Sequence, residues 1–489
     1  MTAAVDYAAI RASMAQLPSD HDASGSHRPT ASEIYAPRQH AYALDPNTPI
    51  VMGARGTGKS FWAGVLQQED TRRIAAAAYP HIGLESLLVE PGYTGIDADG
   101  GVTARVVDAR VKPGMEAQDA FAFWQAVFLR AAWRAANSDR TPPTLRSVME
   151  EFADPEDAEQ ELARLDAHFA SLKRTVVVTF DALDTLSMEW KRSRLLLDAL
   201  FAVVWSMRAR RYIRGKIFIR PEQLNDETLK FVELPKLRSM RIELEWSKTD
   251  LYGMLFSQLL NLSADSTRRS LELLADEVDA PVPSADRSRP RNWSLVSDGM
   301  AQQRMMTRIA GLYMGRSVKK GGTYDWPYNH LGDANGRVTP RSFMKLFAEA
   351  GKFAHSIVDQ VISADGIRHG LREASRVRVD QLALEYRWIK RALAPLAGVT
   401  VPCSPDLIYA RWSDTNTIEI ILKAAKSPDG GFLPPFPRGG GDPLEELALA
   451  MGNIGVLSIR PDGRIDMPDL FRVAALMLKR GGTTPYRNK

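Results

Sequence analysis

Thr48 to Ser60 reads TPIVMGARGTGKS, and the fold of the chain turns on it. Gly53 is followed, after four residues, by Gly58-Lys59-Ser60, which is the phosphate-cradling spacing GxxxxGK[ST]. The flanks supply the context that such a loop needs. Ile50-Val51-Met52 is a short apolar run suited to a buried strand, and Ser60 to Leu66 (SFWAGVL) opens as a helix. In a strand, glycine turn and helix start, consecutive backbone NH groups wrap an anion while the positive end of the helix faces it. Lys59 is then placed to bridge terminal phosphates, and the Ser60 hydroxyl to take a ligand position on Mg2+. The residues expected around the phosphates are Gly53, Ala54, Arg55, Gly56, Thr57, Gly58, Lys59, Ser60 and Phe61.

Arg174 to Leu186, RTVVVTFDALDTL, is the second informative stretch. Thr175 to Phe180 is β-branched and apolar, as a central parallel strand buried on both faces requires. Asp181 follows at its C-terminal end, where open α/β sheets bind ligands, and its carboxylate is the expected second metal partner beside Ser60. Asp184 is placed to polarise an attacking water. Further strands are read at Leu84–Val89, Lys216–Arg220 (KIFIR) and Ser239–Trp246, with PGYTGIDADGG (residues 91–101) as a loop. Helices are read at 116–135, where the aromatic stripe is most simply core, and at 194–211, with a charged helical stretch at 142–167. Arg220, beside Pro221, is a candidate sensor of the terminal phosphate. Together these elements predict a parallel, doubly wound α/β core over residues 31–247. Tyr35, Pro37 and His40, just before the first strand, either contact a base or simply pack.

Outward from the core, residues 1–30 carry a short helix (Tyr7 to Gln16) and then a polar Ser/Asp/His/Pro linker, a flexible N-terminal segment. Residues 248–360 read as a helical lid that begins at a Thr249 or Asp250 cap. Within it, Pro340-Arg341 opens a helix with Phe343, Leu346, Phe347 and Ala350 on one face. An arginine in the first turn opposes the helix dipole, so Arg341 is read either as a second phosphate sensor or as half of a surface ion pair. Residues 361–489 hold a helix at Arg378–Leu396, another around Asp406–Ala425, and a flexible connector PDGGFLPPFPRGGGDP. Beyond these comes helix, Val456–Ile459 strand, Arg460-Pro461-Asp462-Gly463 turn and Arg464–Met467 strand, the order of a winged helix. Arg460 and Arg464 flank the tip, so DNA contact is one reading; the acidic balance of Glu445, Glu446, Asp462, Asp466 and Asp469 favours a protein contact.

Composition bounds these readings. A chain of 489 residues exceeds one core, and its net charge of +4 neither demands nor excludes nucleic acid. The single cysteine, Cys403, excludes an intrachain disulfide and fits a reducing, cytoplasmic compartment. Neither a signal peptide nor a membrane span is read in it.

The loop at Gly53–Ser60, the VVVTFDALD strand end, KIFIR, the LEW strand end with its helical lid, and Pro340-Arg341 resemble the AAA+ and STAND superfamily of P-loop ATPases. The DALD form is similar to STAND and KAP-like bacterial ATPases of signalling and anti-phage defence. The resemblance spans roughly residues 31 to 360. It implies ATP and Mg2+ as cofactors, Lys59 and Ser60 on phosphates and metal, Asp181 on metal, and Arg220 and Arg341 as first and second sensors. Typical members place Glu directly after the Asp, where this chain has Ala182. That departure implies a slow, switch-like ATPase working through Asp184, with a homo-oligomer and a protein effector as partners. Two alternatives are a DNA-acting ATPase loader with a terminal winged helix, and a small-molecule kinase. The basic cluster Arg210, Arg211 and Arg214 is either a solvated helix end or a source of an arginine acting on a neighbouring subunit.

Overall fold

Apolar residues occupy both faces of the central strands, so the sheet they build must be covered twice. The structure, a computed structural model, describes residues 4–19, 28–95, 100–187, 190–224, 229–283, 293–354, 356–426 and 441–485. They cluster into two compact units, Asp22–Glu245 and Met1–His21 with Trp246–Lys489. The polar linker around residues 20–27 and the connector at 427–440 lie outside the described residues.

The first unit holds six strands: β1 (Ile50–Met52), β2 (Leu87–Gly95), β3 (Val102–Thr103), β4 (Thr175–Phe180), β5 (Ile213–Ile219) and β6 (Arg241–Glu243). All pair in parallel, in the spatial order β3-β2-β4-β5-β1-β6. Strand alternation divides the core. Ile50, Met52, Val176, Val178, Phe180, Ile217 and Ile219 pack with the helices Glu116–Ala136 and Trp190–Ser206, whereas Val51, Val177 and Phe218 pack with Lys59–Gln67 and Glu69–Ala78 on the opposite face. The doubly wound α/β reading therefore holds, with β5 inserted between β1 and β4.

Several boundaries differ from the sequence reading. β2 does not end at Val89 but continues through Pro91 to Gly95, with a register shift between Pro91 and Tyr93. Proline is tolerated because β3 pairs with β2 only from Tyr93 onward, so no ladder partner is denied an N–H at Pro91. Residues 96–99 of the expected loop lie outside the described residues. β6 is three residues long instead of spanning 239–246, because Leu234–Ser239 is taken up by a helix.

In the second unit, the helix Lys248–Leu262 is capped by Ser247, not by Thr249 or Asp250. Its hydroxyl accepts from the Asp250 N–H at 3.0 Å, and Asp250 closes the box. The helix expected at 378–396 is broken: residues 378–385 end the helix Ala364–Glu385, started by Ser363, and Ile389–Leu393 is a separate short helix. The first half of Ala364–Glu385 escaped the periodicity because Gly366 and Gly370 interrupt the apolar pattern. Gly370 is there for proximity: a Cβ would stand 2.1 Å from the Leu346 carbonyl oxygen of the helix Pro340–Lys352. The helix expected around 406–425 is two, Pro405–Asp414 and Thr417–Lys426, parted at Asn416 with φ 50°. The N-terminal helix Tyr7–Ala15 is not a loose arm, since it buries Ile10 and Met14 and lies against Pro340–Lys352. Near the C-terminus, the helix Pro443–Asn453 is followed by an antiparallel hairpin of two-residue strands, Ser458–Ile459 and Ile465–Asp466. No helix among the described residues is long and apolar enough to cross a membrane.

Candidate nucleotide site

β1 ends at Met52, and the Gly53 N–H remains tied to the sheet through the Ile219 carbonyl at 3.1 Å. From there the chain must turn within a few residues into the helix Lys59–Gln67. Gly56 and Gly58 do so at φ +85° and +106°, the region that favours glycine. Gly53 is required by crowding, because a Cβ would stand 2.4 Å from Thr57 Oγ1. That hydroxyl is buried and donates to the Ala54 carbonyl at 2.8 Å, which braces the loop from inside. Lys59 stands at the first position of the helix, and its Nζ donates to the Gly53 and Ala54 carbonyls at 2.6 and 3.2 Å.

Asp181 follows β4, with its N–H donating to the Tyr93 carbonyl at 3.0 Å. Its buried carboxylate accepts a hydrogen bond from the Ser60 hydroxyl. Burial pushes the Asp181 carboxyl above its ordinary range, opposed by Ser60, by the Ala182 N–H and by the charge of Lys59. Lys59 is shifted in the complementary sense, to about 8, first by burial and then by the Arg220 cation, with Asp181, Glu222 and Asp184 opposing. These dependences set Lys59, Asp181, Asp184 and Arg220 in one electrostatic site at the C-terminal ends of adjacent strands, where ligands of such sheets bind.

The turn after Asp181 passes through Ala182 at φ +55° and a short helical turn at Leu183–Thr185. It is held from β2: the Tyr93 and Thr185 hydroxyls lie 2.8 Å apart, and Thr185 Oγ1 also bonds the Ala182 carbonyl. Asp184, half exposed, receives the Arg220 Nη2 at 2.7 Å, and Arg220 Nη1 lies 3.9 Å from Glu222. The residues read from the sequence as water-polarising group and phosphate sensor are thus partners of one another. Sequence reading missed Glu222, Tyr93 and Thr185. Only Glu222 had a signal, its place two residues after Arg220 at a helix start.

The remaining candidates stand as follows. His40 makes no base contact, because it is fully buried, accepts from Trp62 Nε1 at 3.1 Å and faces the Glu245 carbonyl at 3.0 Å through Nε2. Pro37 is buried too, its carbonyl taken by the Tyr79 hydroxyl at 2.6 Å. Phe61 packs edge-on against Trp62. Arg55 is half-buried at the loop tip. Arg341 belongs to the other unit, in the first turn of Pro340–Lys352. Of the basic cluster, Arg210 pairs with Glu159, Arg211 lies over the Tyr212 ring and Arg214 donates to the Arg210 carbonyl. At the hairpin, Arg460 pairs with Asp466 at 2.5 Å and Arg464 with Asp462 at 2.7 Å, so both cations flanking the tip already have carboxylate partners. Cys403 is buried, and burial raises its thiol, as suits a small apolar residue.

No cluster of three or more His, Cys, Asp or Glu with metal-holding geometry occurs among the described residues. A P-loop metal does not need one, since phosphate oxygens and water complete its shell. The bonded Ser60–Asp181 pair beside a lysine fits Mg2+ on a nucleotide.

No protein-family model matches the chain, and no curated protein is significantly similar to it. Among solved structures, the ORC2 protein of Aeropyrum pernix (ADPNP–ADP complexes) aligns at 14% identity and TM-score 0.33, covering 92% of this chain and 94% of that one. The Walker-type ATPase paby2304 of Pyrococcus abyssi aligns at 11% identity and TM-score 0.39, covering 93% and 99%. At such scores the likeness adds nothing to the geometry of the site, which presents a phosphate loop, a lysine, a Ser–Asp pair and an arginine on one edge of a parallel sheet.

Proposed function

We propose that the chain is an ATP-binding, slowly hydrolysing P-loop ATPase that acts as a nucleotide-dependent switch. The observation that carries this is the meeting of Ser60, Asp181 and Lys59 at the mouth of a braced glycine loop. The loop's N–H groups and helix start bind the phosphates, and Lys59 leaves its carbonyl partners to bridge the terminal ones. Ser60 and Asp181 hold Mg2+, which neutralises charge on the phosphate oxygens when bound. Asp184 orients the attacking water, and Arg220 reports the terminal phosphate. With Ala182 in place of a carboxylate, the general base is farther along the turn, which favours a long-lived bound state over rapid turnover. Arg341 is proposed as a second sensor. By the DALD form, the switch is of the STAND or KAP-like kind found in anti-phage defence, controlling a homo-oligomer or a protein effector. The pairing of Arg460 and Arg464 with aspartates supports a protein contact for the terminal hairpin rather than a DNA contact.

Titration calorimetry with ATP and Mg2+ tests the site: binding in the parent and much weaker binding in K59A are expected, and equal affinity in both removes the assignment. Particle mass with and without ATP and Mg2+ tests the switch. A mass that ignores nucleotide argues against control of assembly.

A further inference from the structure

Arg220 is the only cation seen to bind Asp184 among the described residues, and its side chain is 12% exposed against 40% for Asp184. The guanidinium closes β5, one strand from the loop that follows β1, while Asp184 belongs to the turn after β4. Both ends are fixed. β5 is buried except at Arg214, and the Asp184 turn is pinned to β2 through Thr185 and Tyr93 and through the Asp181 N–H. Gly95 presses on the same turn, where a Cβ would stand 2.9 Å from Thr185 Oγ1 and 3.0 Å from Ala182 Cβ. The pair is therefore not a casual surface contact between two mobile side chains but a junction between two strand ends.

We propose that Asp184 sets the preference of the site for a triphosphate over a diphosphate by competing with the terminal phosphate for Arg220. This rests on the nucleotide reading given above. The donors of a guanidinium lie in one rigid plane, so swinging the fork square onto a phosphate carries Nη2 away from its present bond to Asp184. A terminal phosphate beside Lys59 is the anion that Arg220 would turn to, and accepting it means releasing Asp184. The influence of Arg220 on Lys59 supports the nearness that such an exchange needs. A diphosphate leaves the pair intact. ATP alone thus exchanges one ion pair for another, and the exchange also frees the Asp184 carboxylate to orient water. Sensing and catalysis become one event, in which the group that polarises water is withheld until the phosphate to be attacked has arrived.

The competing pair is partly exposed, where such ion pairs are worth about 0.2–1 kcal/mol. Replacing Asp184 by Asn should thus strengthen binding of a non-hydrolysable ATP analogue by up to about five-fold. ADP affinity should be unchanged and ATP hydrolysis lowered. R220A should do the reverse, weakening the analogue while leaving ADP alone, so that the preference collapses. Titration calorimetry of parent, D184N, D184S and R220A with both nucleotides decides it, with thermal melts confirming that each variant is folded. A purely structural pair predicts lower melting temperatures with ATP and ADP affinities moving together, and that outcome, or an unchanged or weaker analogue affinity in D184N and D184S, overturns the proposal. Absence of nucleotide binding in the parent defeats the nucleotide reading itself, a distinct result.

Discussion

Two lysines flank the central sheet, one fully buried on β5 and one half-buried where the loop meets its helix, and they differ in what surrounds them. Lys216 on β5 has no exposed surface, donates to the Thr48 carbonyl at 2.6 Å, and is pushed down to about 7 by burial, with Asp45 the one charge opposing. Lys59, where the loop meets its helix, is pushed down less far, to about 8, and stands among Asp181, Asp184, Glu222 and Arg220. Desolvation lowers both; convergence of several charges belongs to Lys59 alone. A depressed lysine is therefore a poor marker of chemistry by itself, and a site is recognised by how many opposed charges are brought to it.

Breaking the Lys59 side of the comparison should have the largest effect. K59A removes a charged donor to phosphate and should weaken ATP by roughly 10- to 100-fold, whereas K216M should leave ATP affinity within about two-fold, both read by calorimetry. If K216M weakens ATP as much as K59A, the contrast between the two lysines is wrong. G53A comes next, since its added methyl group meets Thr57 Oγ1 at 2.4 Å. The loop must yield, and ATP affinity should drop about ten-fold, consistent with the 1–3 kcal/mol usual for overpacking.

The pH dependence sharpens the contrast further. A lysine whose folded value lies below its unfolded one binds fewer protons in the native state, so stability rises with pH through the interval between the two values. For Lys216 that interval runs from about 7 up to the ordinary 10.5. Urea unfolding should show higher stability at the alkaline end of it, and K216M should flatten the rise. ATP affinity should instead fall as pH climbs past 8, because Lys59 loses the charge that phosphates need. The smallest effect is expected far away, at Arg464, whose pair with Asp462 is half exposed on both sides. R464A should leave the urea midpoint and the ATP affinity both unchanged within error.

The phosphate loop and β4 were legible because local chemistry dictates them. Glycines at fixed offsets and a β-branched run leave few alternatives, and Asp181 could be placed from its position after the strand. What lay hidden depends on contacts distant in sequence. Base contact and packing stayed open for His40 because nothing local reveals Trp62 and the Glu245 carbonyl closing over it. The Asp184–Arg220 bond joins two strand ends whose adjacency follows only from β5 lying between β1 and β4. The continuation of β2 through Pro91 was masked by a residue that usually forbids it. The helix Ala364–Glu385 was obscured by glycines that close packing demands.

Those glycines have a mechanical consequence. Gly370 brings its helix against the main chain at Leu346, and on the same helix Pro340–Lys352, Gly351 leaves no room for a Cβ, which would stand 2.7 Å from the Ala15 nitrogen. One helix from the start of the chain and two from residues 340–385 thus meet backbone against backbone at these glycines. Such a stack yields only by whole helices: a side chain added at either glycine meets main chain, which has no rotamer to change.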